Sequence, residues 1–167
     1  NELARNLRSG SSKTIALIIP SLKNPFFAEI ASVINSEVRK YDYITLIGDS
    51  DDDIEIEKTE ISQFTSKNID GMIIVPCGKE WEHLVKIQQD GLPLVCIDRY
   101  FEGSPISFVS SNNYEGAYAA SKYLIEQGHR SIGCIQGIKY STPNIQRVKG
   151  FEQAMSDFGI DSYTVTG

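Results

Sequence analysis

The sequence predicts an α/β protein, a parallel sheet with helices on both faces. Three observations carry that prediction. Ile15 to Ile19 is an unbroken apolar run with no polar alternation, the pattern of a strand covered on both sides. Strand-like apolar runs then alternate with segments apolar at helical spacing, in strict β-α-β-α order. The connections are short, which implies right-handed crossovers and parallel neighbours.

The elements follow in order. Asn1 to Gly10 is locally basic, with Arg5 and Arg8 against Glu2. Leu3, Ala4 and Leu7 share one face if it is helical. So short a helix is marginal alone in water, so the residues admit either a linker or a helix formed against a partner. Gly10-Ser11-Ser12 breaks it before the first strand. That strand ends at Pro20, which cannot donate to a ladder. Asn24 is a good N-cap and Pro25 a good first helical residue. Phe26, Phe27, Ile30, Ala31, Ile34 and Val38 follow at helical spacing, for a helix from Pro25 to Lys40. A strand is expected over Tyr43 to Gly48 and a helix over Ile54 to Ser66. Next come a strand over Gly71 to Val75, a helix from Trp81 to Gln89 with Gly91 at its end, and a strand from Pro93 to Ile97.

The rhythm changes after Asp98. A short apolar run, Ile106 to Val109, precedes the polar stretch Ser110 to Asn113. A helix from Tyr114 to Gln127, a strand from Ser131 to Ile135, a helix from Gln146 to Phe158 and the start of a strand at Ser162 to Val165 then follow. A second lobe beginning near Ser110 holds too little chain to close its own sheet. The expectation is a piece of a longer protein, or elements that pack on another chain.

Composition limits the function classes. The chain has 167 residues, 41% hydrophobic and 23% charged, the balance of a soluble globular protein. No apolar run approaches the roughly 20 residues that span a bilayer, and the N-terminal stretch has no signal-peptide pattern. Cys77, Cys96 and Cys134 are odd in number and sit in or beside strand-like runs, which reads as buried thiols in a reducing compartment. A net charge of −6 argues against a domain that coats nucleic acid, while leaving room for a small basic element at one end.

Several motifs fail on inspection. No glycine-rich phosphate loop and no Gly-x-Ser-x-Gly elbow is present. Asp49, Asp51, Asp53 and Glu60 mimic calcium-loop spacing, but Ile54 stands where such a loop needs glycine. Asp49 to Glu60 therefore reads as a solvated acidic turn favouring the start of the next helix. His83 and His129 have no cysteine or acid at metal-ligand spacing. No metal site, cofactor or catalytic set is expected.

Polar residues gather instead at strand carboxyl ends, where ligands sit in open α/β sheets. They are Ser21, Lys23 and Asn24, then Asp49 and Ser50, then Asp98 and Arg99. A carboxylate and a guanidinium ending a buried strand suit a polyhydroxy ligand. Phe26 and Phe27 suit the face of a sugar or base ring. The residues alone equally allow Asp98 and Arg99 to pair locally and both phenylalanines to be core.

The ordered pieces Asn1-x-Leu3-Ala4-x-x-Leu7-x-x-Gly10, Ile15 to Pro20, Asn24-Pro25-Phe26-Phe27, Asp70-Gly71, Ile97-Asp98-Arg99, Asn113-Tyr114-Glu115-Gly116, Gly128-His129-Arg130 and Arg147-x-x-Gly150-Phe151 closely resemble the LacI/GalR family of bacterial transcriptional repressors. The resemblance covers essentially the whole chain. It implies a type I periplasmic-binding-protein-like core: hinge helix and linker at 1–12, first lobe at 13–109, partial second lobe at 110–167. It implies a cytoplasmic homodimer whose effector, a sugar first and a nucleobase second, is held by Asn24, Phe26, Phe27, Asp98, Arg99 and Arg147. It implies that Ala4, Leu7 and Arg8 meet the minor groove of operator DNA, Leu7 as an apolar wedge. The family's helix-turn-helix has no counterpart in these residues, so operator binding is expected of a longer parent. Related periplasmic sugar-binding proteins share the Asn24-Pro25-Phe26-Phe27 and Asp98-Arg99 pieces and give the alternative reading.

Overall fold

In the structure, a computed structural model that describes residues 11–167, β1 (Thr14–Ile19) is an interior strand. Ala16, Leu17, Ile18 and Ile19 are fully buried, as an apolar run covered on both sides must be. After it come α1 (Pro25–Arg39), β2 (Ile44–Asp49), α2 (Ile54–Thr65), β3 (Gly71–Ile74), α3 (Glu82–Gln89), β4 (Leu94–Ile97) and β5 (Ser107–Val109). These strands form one sheet in the order β2-β1-β3-β4-β5, every neighbouring pair parallel. The α/β prediction is borne out.

Alternation along β1 divides the core. Leu17 and Ile19 pack with Phe27 and Ala31 of α1 and with Val75. Ala16 and Ile18 face the other way, against Ile61 and Phe64 of α2, Leu84 of α3, Met72, Ile74 and Leu94. α1 therefore covers one face, and α2 with α3 the other. The caps follow the residues that predict them. Asn24 accepts the Phe26 N–H at 3.0 Å with Pro25 in the first turn, and Asp53 accepts from Glu55 and Ile56.

The chain divides into two compact units between Val109 and Ser110. The second contains α4 (Asn113–Glu126), β6 (Gly133–Gln136), α5 (Thr142–Asp157) and β7 (Tyr163–Thr166). β6 and β7 pair in parallel. Its core is Ile125, Ile132, Phe151, Ala154 and Met155. α5 starts at Thr142, not at Gln146 as its apolar stripe predicts. Ser141 is extended at the N-cap and Pro143 lies in the first turn, so the helix opens on a cap-and-proline start that precedes its apolar stripe.

Gly150 decides how α4 and α5 meet. A Cβ there would lie 2.2 Å from the Tyr114 carbonyl oxygen, a backbone atom that cannot swing away. Only glycine lets the two backbones approach so closely. The expectations for Ala4, Leu7 and Arg8 fall outside the described residues.

Candidate functional site

The strand order turns back at β1. β2 lies on one side of it and β3 on the other, which makes the carboxyl ends of β1 and β3 a topological switch point. The loops there are tied to one another. The Leu22 N–H, in the loop after β1, donates to the Asp49 carboxylate at 2.9 Å. Asp51 and Asp52 both adopt left-handed backbone, at φ 48° and 57°. The Asp52 carboxylate takes Arg99, with Nη1 at 2.5 Å and Nη2 at 3.4 Å. The Arg99 side chain is only 11% exposed, so this pair is largely shielded. Arg99 is thus committed to a carboxylate within the fold, one distant in sequence rather than the neighbouring Asp98.

Asp98 sits in a strained turn. Its φ is 60°, a region costly for a residue with a Cβ. The Arg99 N–H folds back to the Ile97 carbonyl at 2.6 Å, closing a three-residue turn around Asp98, and the Asp98 N–H donates to Val109 at 2.8 Å. Backbone held in this way tends to mark a functional position.

The two phenylalanines part company. Phe26 is 49% exposed and meets Phe27 edge-on at 5.1 Å between centroids. Phe27 is 6% exposed and belongs to the core against Leu17, Ile19, Ala31 and Val75. Its packing is that of a core residue, one of the two readings its residue type allows. It lies four residues before Ala31 on the buried stripe of α1, whereas Phe26 lies off that stripe.

The acidic turn is corrected. Glu57 is not solvated but fully buried. Its Oε2 accepts the Cys77 N–H at 2.6 Å, and its Oε1 lies 2.8 Å from His83 Nε2. Ser50, also buried, donates to the Ile19 carbonyl, and its hydroxyl lies 3.1 Å from Cys77 Sγ. This network fixes the loop after β3. The spacing 57, 61, 64 places Glu57 on the same inward stripe as Ile61 and Phe64, the one signal that could have found it. Burial pushes the Cys77 thiol far above its ordinary range, against the Ser50 hydrogen bond and with help from the Glu57 charge. Burial likewise pushes Cys96 up to about 12. Both are inert thiols. Glu60 is raised by burial first and by the Asp49 charge second. Among the described residues no cluster of His, Cys, Asp and Glu suits a metal ion, and no helix is long and apolar enough to cross a membrane.

Arg147 belongs to the second unit. Its Nε donates to Asn113 Oδ1 at 2.7 Å, and Asn113 Nδ2 donates to the Ser111 carbonyl at 3.0 Å. The close crossing at Gly150 brings Arg147, one turn earlier on α5, to the first turn of α4. Both residues line an open hollow of about 570 Å³ with Gly116, Ala120, Ser121 and Phe151. Asn113 escaped the sequence reading because its partner is 34 residues away.

Comparison with known proteins agrees with this architecture. Residues 12–166 match the family model described as periplasmic binding proteins and sugar binding domain of LacI family. The chain is 31% identical over 160 residues to the NTD biosynthesis operon regulator NtdR of Bacillus subtilis, covering 96% of this chain and 48% of that protein. A periplasmic binding protein/LacI transcriptional regulator from Alkaliphilus metalliredigens, crystallised with D-xylulofuranose, superposes with a TM-score of 0.85 at 30% identity, over 93% of this chain and 57% of that one. The Cra transcriptional dual regulator of Pseudomonas putida, in complex with fructose 1-phosphate, gives 0.87 at 25% identity, over 93% and 58%. The chain spans about half the length of the curated relatives it matches. With its parallel sheet, its switch-point loops and a match over nearly every residue, the chain belongs to the LacI family.

Proposed function

We propose that this chain is the effector-sensing core of a ligand-responsive transcriptional repressor, a binding protein and not an enzyme. The observation that carries the reading is the strained Asp98 turn at the carboxyl edge of a LacI-family sheet. An aspartate held there accepts hydrogen bonds from the vicinal hydroxyls of a sugar. Asn24 and Phe26 stand on the same edge of the first unit. Arg99 acts there through its Asp52 pair, which keeps a cation beside the turn. In the second unit the candidate effector residue is Arg147, oriented by Asn113. Two structural relatives of this chain carry sugars, which supports a sugar over a nucleobase.

In this reading the parent protein is a cytoplasmic homodimer that meets operator DNA through residues around Ala4, Leu7 and Arg8 and through a separate DNA-binding domain. The effector acts by preferring one arrangement of the core over another, which shifts the population that binds operator. The test is calorimetric titration of the full-length regulator with pentoses, hexoses and purine bases, beside operator binding. One sugar is expected to bind and to change operator affinity. Asp98→Ala and Arg147→Ala should each abolish that response while the protein stays folded. Normal responses in both variants overturn the site, and binding of a purine base instead of any sugar overturns the ligand class.

A further inference from the structure

We propose that Asp70 couples the first unit to the chain that precedes it, by fixing the course of Ser11 to Lys13 as they enter β1. The proposal rests on the regulator reading, in which the segment before Ser11 carries the signal to DNA.

Asp70 stands immediately before β3, and its own N–H donates to the Thr14 carbonyl at 2.8 Å, extending the β1–β3 ladder by one residue. Its carboxylate faces the incoming chain. Oδ1 accepts the Ser12 N–H at 2.7 Å and the Ser12 hydroxyl at 3.0 Å. Oδ2 accepts the Lys13 N–H at 3.0 Å and the Ser11 hydroxyl. Two successive backbone amides converging on one anion form the concave arrangement by which chains grip phosphates and carboxylates. Here the anion is the protein's own. A carboxylate has about four lone-pair sites, and these contacts fill them, so Asp70 holds chain and not ligand.

The grip comes from both neighbouring strands. Lys13 adopts left-handed backbone at φ 54°, which turns its amide toward Asp70. On the opposite side its carbonyl accepts the Ile44 N–H at 2.9 Å, and its ammonium lies 4.4 Å from the centroid of the Tyr43 ring. Lys13 is therefore held by β3 through its amide and by the start of β2 through its carbonyl and side chain. A residue locked from both sides in a costly conformation cannot turn independently of the sheet. Movement of the unit must carry Ser11 to Lys13 with it, and with them the direction in which the chain leaves.

The experiment uses the full-length regulator. The wild type is measured first for operator binding and effector response; failure at this stage overturns the regulator reading itself. Given a working wild type, Asp70→Ala is expected to lower operator affinity about tenfold, the scale of one lost charge-assisted network. Effector affinity should stay within about twofold, and amide exchange at Ser12 and Lys13 should quicken about tenfold. Operator affinity within about twofold of wild type overturns the proposal whatever the exchange rates, and so does a loss of effector affinity as large as the loss for operator. If Asp70→Ala does not fold, Asp70→Asn replaces it. It keeps one carbonyl acceptor for Ser12 but none for Lys13, so operator affinity should fall about threefold, and a wild-type value overturns the proposal.

Discussion

Asp98 and Asp70 stand at opposite edges of one parallel sheet, and their surroundings differ. Asp98 follows β4 at the carboxyl edge, in a left-handed turn closed by a backbone hydrogen bond. Asp70 precedes β3 at the amino edge, where four donors from Ser11, Ser12 and Lys13 reach its carboxylate. At the carboxyl edge the fold places the strain on the aspartate itself, and the Arg99–Asp52 ion pair with hydrogen bonds to Asp49 holds the loops around it. At the amino edge the strain sits on Lys13, and the aspartate is the anchor. The same residue type serves recognition in one place and attachment in the other, and only its neighbours distinguish the roles.

The largest effect should come from Glu57, the buried group behind the carboxyl edge. Glu57→Ala leaves the Cys77 N–H and His83 without their acceptor. The cost should be about 3 kcal/mol of stability, the usual penalty for breaking a buried charged contact. Glu57→Gln keeps an acceptor for Cys77 and should lose less than half of that. Denaturant unfolding of the chain reads both. If Glu57→Ala costs no more than Asp70→Ala, the carboxyl edge is not the more rigidly built of the two.

Next in size is the Arg99–Asp52 pair. A double-mutant cycle with Arg99→Ala and Asp52→Ala should give a coupling of about 1 kcal/mol, above the ordinary surface pair because the guanidinium is mostly shielded. Zero coupling would release Arg99 to act as a direct ligand group, with no structural duty to Asp52.

A smaller change of opposite sign is expected at Asp98. Asp98→Gly removes the Cβ from a backbone at φ 60° and should stabilise the chain by about 1 kcal/mol while abolishing effector binding. Stability and binding moving in opposite directions is the signature of a site that stores strain. A destabilised Asp98→Gly that still binds effector would remove the contrast with Asp70.

Much of this was legible in the sequence, for definite reasons. β1 declared itself because an apolar run covered on both faces shows no alternation, and α1 because Asn24-Pro25 is both cap and first turn. Phe27 and Glu57 were legible in principle: each sits on the buried stripe of its helix, at 27 and 31 or at 57, 61 and 64. The inward place of Glu57 is masked by the charge run around it. The Arg99–Asp52 pair, 47 residues apart, and the Ser12–Asp70 contact, 58 apart, depend on strand order and register, which no local pattern carries. The start of α5 is marked by the Ser141 cap and Pro143, which lie ahead of its apolar stripe, so the stripe alone sets it four residues late.

The smallest expected effect is the acid response of the amino edge. Burial pushes the Asp70 carboxyl up, but the hydrogen bonds from Ser11, Ser12 and Lys13 outweigh it and hold the group below its ordinary value. A depressed carboxyl contributes stability that is fully present above the unfolded-state value, about 3.9 for aspartate, and is lost as pH falls through the folded value. Attachment of Ser11 to Lys13 should therefore persist at neutral pH and loosen only in acid below about pH 4. Amide exchange at Ser12 and Lys13, corrected for its intrinsic pH dependence, should show this loosening, and Asp70→Asn should remove its pH dependence while quickening exchange at Lys13 throughout. Exchange at Lys13 with no acid-linked change, or a pH dependence that survives Asp70→Asn, would remove Asp70 as the anchor of the amino edge.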